Sequence, residues 1–225
     1  APFPARLPRI QRVMAVLRPL KLTITNYPEG QSETVDVENN PVAENAGMRP
    51  VSFSRSLWIE EDDFMIEPVK KYNRFFVGNE VRLKGAYFLT CTSYETDENG
   101  KVTCIHCTYD PATKGGDSPD GRKVKGTIHW AGSDSIKAEV RLYDKLFNDE
   151  DPASIPDEEF ENALNPDSLV VLKDCLVEPS VKNANAGEAF QFVRNGYFCI
   201  DKDSTEDNII FNRTVELNSS WNNKK

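Results

Sequence analysis

Alternation of apolar and polar residues recurs along almost the whole of this 225-residue chain, and no other feature restricts its fold as much. A period of two buries one face of an extended strand and wets the other, whereas a helix needs a period near 3.6. In KLTITNY, Leu22 and Ile24 fall on one side and Thr23 and Thr25 on the other. In EVRLKGAYFLTCTSYE, Val81 and Leu83 alternate with Arg82 and Lys84, and the β-favouring Tyr87, Phe88 and Thr90 follow. KVTCIHCTYD, KVKGTIHW, IKAEVRLYD, SLVVLKDCLVE, EAFQFV, GYFCID and NIIFNRTVEL continue the pattern. Asn99-Gly100 and Asn195-Gly196 lie between such runs as signals for two-residue hairpin turns. Helical spacing is confined to short pieces. RIQRVMAVL has apolar residues at 10, 13, 14 and 17, and DEEFENAL at 157–164 follows Pro156 with acids in its first turn. Many short strands with frequent turn signals predict a mainly β chain built as barrels or sandwiches, with only short helices.

Composition narrows the class further. Hydrophobic residues make up 39% and aromatics 10%, enough for a core, so general disorder is excluded. No window approaches the roughly 18–20 apolar residues that a membrane helix needs, and no membrane partner is expected. The N-terminus, APFPARLPRIQRVMAVL, lacks the continuous apolar stretch and cleavage site of a signal peptide. Five cysteines, an odd number without framework spacing, fit reduced thiols in the cytoplasm.

The net charge of −9 opposes a nucleic-acid partner, because phosphate binding needs cations to replace counterions. Its distribution says something else. Residues 1–21 carry Arg6, Arg9, Arg12, Arg18 and Lys21 and no acid, while 29–67 carry ten acids against Arg49 and Arg55. Residues 69–84 turn basic again, and 149–161 hold seven acids and no base. Such segregation predicts a basic face on an acidic body. The charge reversal around Pro68 and the polar, acidic stretch at 148–168 mark two crossings between units. Strands at 20–60 and 168–218 then flank a block at about 69–147, the layout of one barrel inserted into another.

Signals for catalysis are few. His106 and His129 both lie inside strand patterns with no nucleophile–acid constellation beside them. Cys104-Ile105-His106-Cys107 resembles half of a zinc site, but no second ligand pair follows at suitable spacing. Residues three apart on a strand also face opposite ways, so no metal site is assigned. No phosphate loop and no GxGxxG motif occurs after a strand. What stands out is basic residues interleaved with aromatics: Lys70, Lys71, Arg74, Arg82 and Lys84 beside Tyr72, Phe75 and Phe76, with Lys123 and Lys125 on one strand face next to Arg122. Single-stranded RNA is read by this mixture. A barrel with an ordinary basic edge strand would look similar. So would a carbohydrate-active enzyme or a protein-interaction module, which paired carboxylates in a cleft would favour and a basic groove between barrels would oppose.

The segments RVMAVLRPLKLTITNYPEG, HCTYDPATKGG, DGRKVKGTIHW, AEVRLYDKLF, NPDSLVVLKDCLVEPS, FCID and FNRTVEL closely resemble the C-terminal anticodon-binding region of the glutaminyl-tRNA synthetases, in the glutamyl/glutaminyl family of class I aminoacyl-tRNA synthetases. The resemblance runs from about Arg12 to Trp221. It implies two β-barrels, a distal one inserted in a proximal one. The expected division is a lead-in segment and helix end at 1–14, a proximal barrel at 15–68 plus 165–221, and a distal barrel with its linker at 69–164.

By the same resemblance, the catalytic Rossmann domain of the parent, with its ATP motifs, would precede residue 1. The chain by itself would then be no enzyme, with no catalytic residues and no cofactor of its own. The parent would be a glutamine–tRNA ligase using ATP with Mg2+. Expected partners are the anticodon stem-loop of glutamine tRNA and the N-terminal catalytic domain of the same polypeptide, in a cytoplasmic monomer. The anticodon-reading residues of the family match Arg12, Arg74, Arg82 and Gln191. Arg82 would serve the first anticodon base, Arg12 with Gln191 the middle one, and Arg74 the third, with Lys71 and Asn73 beside them. Arg offers a planar fork to base oxygens and phosphate, and a Gln amide both donates and accepts at a uracil edge. A glutamyl-tRNA synthetase of the two-barrel type is the alternative.

Overall fold

A computed structural model describes residues 10–42, 45–115, 118–149, 151–156 and 158–217. Its regular structure is almost entirely strand. One sheet has seven strands in the order β1 (Gln11–Val13), β13 (Ala189–Phe192), β14 (Gly196–Ile200), β15 (Ile209–Val215), β11 (Ile136–Tyr143), β12 (Leu169–Val177) and β2 (Ala15–Val16). Its two edges, β1 and β2, are separated in sequence by Met14 alone, so the sheet curls until one residue bridges the seam. Val13, Ala15, Val140, Val177, Phe190, Phe192, Phe198 and Phe211 fill the interior.

A second sheet has six strands in the order β10 (Thr127–Ile128), β7 (Glu80–Leu83), β8 (Phe88–Thr96), β9 (Val102–Asp110), β3 (Pro19–Ile24) and β6 (Ser56–Glu60). It too nearly closes: Trp58 and Ala131 exchange backbone hydrogen bonds of 3.0 and 2.9 Å, joining β6 to the residues after β10. The hairpin β4 (Ser32–Glu38) and β5 (Met48–Ser54) lies against this barrel and gives Val35, Val37, Val51 and Phe53 to its core.

All strands of the second barrel fall between β2 and β11 of the first, so one barrel is inserted in the other. Strand pairing divides them elsewhere than at the expected 15–68, 69–164 and 165–221. β3 pairs with β9, and β6 with β3, so both belong to the inserted barrel. β11 pairs with β12 and β15, so it belongs to the outer one. The chain crosses at Leu17–Arg18 and at Gly132–Ser135, too short to shift composition, whereas the charged runs at 60–72 and 148–168 lie within one barrel or the other, the first of them partly buried. The crossing at Gly132 is tight, for a methyl group there would lie 2.4 Å from the Ser52 carbonyl oxygen. The expected lead-in at 1–9, Asp157, Gly116 and residues 218–221 lie outside the described residues.

Neither expected helix forms. RIQRVMAVL becomes β1 and β2, because Val13, Ala15 and Leu17 enter the outer core while Met14 enters the inserted one. A run buried on both faces carries no period that separates strand from helix. Residues 158–164 make turns, with one bond of helical reach, Ala163 N–H to the Glu159 carbonyl at 3.2 Å. KVKGTIHW is strand only at Thr127–Ile128. The two Asn-Gly signals do mark turns between paired strands, but of longer type than two residues. Phe192 pairs with Gly196, leaving Val193, Arg194 and Asn195 as a three-residue loop with Arg194 at φ +70°.

Candidate nucleic-acid interface

Charged side chains gather where the two barrels meet. The acidic run after β6 begins in solvent-like sequence and ends buried. Glu60 accepts from the Leu17 and Arg18 backbone N–H groups, both at 2.9 Å, from Asn195 Nδ2 at 3.0 Å, and lies 3.3 Å from His129 Nε2. Burial alone would raise its pKa, but the bonds from His129 and the two N–H groups outweigh it, and the net shift is downward. Three residues on, Asp63 is fully buried and receives Arg194 of the β13–β14 loop through both oxygens, at 2.7 and 2.8 Å. Arg74 Nη1 approaches the same carboxylate at 3.1 Å and donates to the Asp62 carbonyl at 3.2 Å. One buried acid of the inserted barrel therefore holds an arginine from each barrel.

Arg74 belongs to a loop that forms one wall of a cleft of about 590 Å3. Lys70, Lys71, Arg74, Lys125 and Arg194 line it, with Tyr72 among them and no acid among the described residues of its lining. Lys71 sits at φ +70°, which turns the loop sharply. The loop rests on Gly126, where a methyl group would lie 1.9 Å from the Asn73 carbonyl oxygen. Glycine is thus required where the loop backbone crosses the extended segment before β10. The Tyr72 hydroxyl donates to the Asp62 carbonyl at 3.0 Å, and burial together with the Asp63 charge pushes its pKa up to about 12. Asn73 is exposed at the rim.

Arg82 stands on β7 beside Thr127 of β10, which also lines the cleft. Its guanidinium carbon lies 4.9 Å from the centre of the Phe88 ring, a cation–π contact. Arg12 and Gln191 are direct partners in the parallel pairing of β1 with β13, so they share one face. Val13, Phe190 and Phe192 point inward, which leaves Arg12 and Gln191 on the outside of the barrel. The Arg12 backbone N–H donates to the Asn39 carbonyl at 2.8 Å, while its Nε is buried with no hydrogen-bond partner among the described residues.

The structure thus brings Lys71, Asn73 and Arg74 into one cleft, leaves Arg82 outside its lining on the strand paired with Thr127, and sets Arg12 with Gln191 on the other barrel, three residues before Arg194. Arg194 is the residue that sequence reasoning missed. It is central because a three-residue turn aims it across the barrel junction. Some of the expected basic–aromatic mixture does not take part. Phe75 is wholly buried, and Arg122 is bound by Glu80 at 2.9 and 3.0 Å, Asp110 at 2.5 Å and Asp120 at 2.9 Å. Lys123 and Lys125 are exposed on an extended segment rather than a strand.

Comparison with known proteins agrees with a nucleic-acid surface. Residues 10–110 match the model of the tRNA synthetases class I (E and Q) anti-codon binding domain, and residues 127–201 match a second model with that description. A glutamine–tRNA ligase of Clostridium perfringens is 54% identical over 212 residues, 93% of this chain and 38% of that protein. Those of Clostridioides difficile and Nitrobacter winogradskyi are 52% identical over 95% of the chain and 49% over 93%, covering 39% and 37% of their own lengths. The chain spans well under half the length of these relatives. It belongs to the anticodon-binding domain family of the class I (E and Q) tRNA synthetases.

Proposed function

We propose that the chain reads the anticodon loop of glutamine tRNA, with Arg82 at the first base, Arg12 and Gln191 at the middle base, and Arg74 at the third. Lys71 and Asn73 flank the third position. The observation that carries the reading is the pairing of Arg12 with Gln191 on one outward face of the outer barrel. A pyrimidine edge satisfies such a fork together with an amide, and a wrong base leaves buried polar atoms without partners. The acid-free cleft beside Arg74 suits a nucleotide with its phosphate and opposes a carboxylate-based glycosidase site. Separate pockets fit bases that are unstacked and read one at a time. The relatives are glutamine–tRNA ligases, which supports glutamine tRNA over glutamate tRNA. Joining glutamine to tRNA with ATP and Mg2+ is assigned to a catalytic domain in the part of those longer proteins that this chain does not span. The reading places the longer protein in the cytoplasm as a monomer.

The test is binding to a glutamine-tRNA anticodon stem-loop and to one with the middle base changed, at two salt concentrations. The expected result is preference for the native loop, with log affinity falling by roughly 0.7 per phosphate contact for each tenfold rise in salt. Gln191→Ala should lose about 1–3 kcal/mol against the native loop and almost nothing against the altered one. Equal binding of both loops by the unsubstituted chain would overturn base readout.

A further inference from the structure

Strands β8 and β9 carry a second group of ligating side chains, apart from the cationic cleft. The pleat splits Cys104-Ile105-His106-Cys107 in two. Ile105 and Cys107 enter the core with no exposure, while Cys104 and His106, two apart, share the outer face. Antiparallel pairing then sets Glu95 of β8 opposite Cys104 and Ser93 opposite His106. A sulfur, an imidazole nitrogen and a carboxylate oxygen of Cys104, His106 and Glu95 all lie within 4.8 Å of one another. His106 Nε2 is 2.8 Å from Glu95 Oε1, and the Thr23 hydroxyl of neighbouring β3 is 3.5 Å from Cys104 Sγ.

We propose that Glu95, Cys104 and His106 bind a divalent transition-metal ion of the zinc class, with a fourth position left to water. A thiolate, imidazole and carboxylate set suits zinc better than magnesium or calcium, which take oxygen ligands. Tetrahedral bonds of about 2.0–2.3 Å place ligand atoms roughly 3.3–3.8 Å apart. The His106–Glu95 contact must therefore open by about half an ångström or more while the thiol closes in. Glu95 can supply that movement, for its side chain is 61% exposed, whereas Cys104 and His106 are fixed on one strand. Binding releases the Cys104 thiol proton to solvent, while the imidazole ligates as its neutral form with its proton on the other ring nitrogen, so the His106–Glu95 hydrogen bond is exchanged for two bonds to the metal. The Thr23 hydroxyl stands ready to donate to the thiolate and orient it.

The experiment titrates the 225-residue chain with Co2+ and then displaces it with Zn2+. One equivalent of cobalt should give a near-ultraviolet thiolate-to-cobalt absorption with visible bands of tetrahedral intensity, and zinc should abolish both. Cys104→Ser should remove the thiolate absorption. Glu95→Gln, at an exposed position that leaves the fold intact, should weaken binding about tenfold or more. Cys107→Ser and Cys91→Ser should leave the spectrum unchanged. Absorption that persists in Cys104→Ser, or the absence of stoichiometric binding by the folded unsubstituted chain, would overturn the assignment.

Discussion

Replacing Glu178 by Gln tests whether the outer barrel and the β4–β5 hairpin are joined by a buried charge pair. Arg49 of β5 reaches Glu178 through Nε at 2.5 Å and Nη2 at 2.8 Å, and the two side chains are only 8% and 3% exposed. Glu178 also accepts from the Met14 backbone N–H at 3.0 Å and from the Ser180 hydroxyl at 2.5 Å. The Arg49 Nη1 donates to the Glu38 carbonyl at 2.9 Å, next to Asn39, whose carbonyl accepts from Arg12. Glutamine keeps the shape but leaves a buried guanidinium uncompensated, which costs about 3–5 kcal/mol. Exchanging both partners, Arg49→Met with Glu178→Leu, removes the two desolvation costs together but leaves the Met14 N–H without its acceptor, so it should lie about 1–3 kcal/mol below the parent chain. The assay is urea unfolding followed by both circular dichroism and tryptophan fluorescence. With a slope of about 2–3 kcal/mol per molar, Glu178→Gln should lower the midpoint by 1 M or more, and the double exchange should restore part of it. Because the pair also steadies the hairpin that holds β1, the single variant should weaken anticodon stem-loop binding through Arg12. A loss below about 1 kcal/mol, or additive effects in the double variant, would refute the argument.

Two further expectations concern charge. Glu60 has its folded pKa below the ordinary value of 4.5, so its contribution is present above that value and disappears as pH falls through the folded one. Glu60→Gln should therefore flatten the fall in unfolding midpoint as pH drops below about 4.5, and an unchanged slope would count against the barrel-junction network. At the cleft, Lys125 lines the wall while Arg122 is occupied by three acids. Lys125→Gln should reduce the salt dependence of stem-loop binding by close to one phosphate contact, whereas Arg122→Gln should leave it as it was, and equal effects would sink the distinction.

Strand identity was legible along most of the chain because a period of two is a local property, set by alternate wetting and burial of neighbouring residues. β3, β7, β9, β11, β12, β14 and β15 lie where alternation places them. It failed where burial is two-sided, as at Val13–Leu17, and where backbone crowding rather than pattern decides, as at Gly126. The nested order of the barrels was legible too, but its boundaries were not. Charged runs advertise loops, and these barrels are joined by crossings of a few residues that leave no mark on composition.

The candidate site divides the same way. Its residue types, arginines with a glutamine and flanking polar groups, were fixed by the sequence and visible in its motifs. Their grouping came only from tertiary structure. β1 lies beside β13 although Arg12 and Gln191 are far apart in the chain, so the face they share exists only once the outer barrel closes. Asp63 reads as one more solvated acid in EEDD, yet Arg194 and Arg74 from two barrels bury it completely. A sequence specifies which charges a chain carries. Which of them meet is decided by non-local pairing, because an ion pair takes its energy from distance and burial, and neither exists until the barrels have packed.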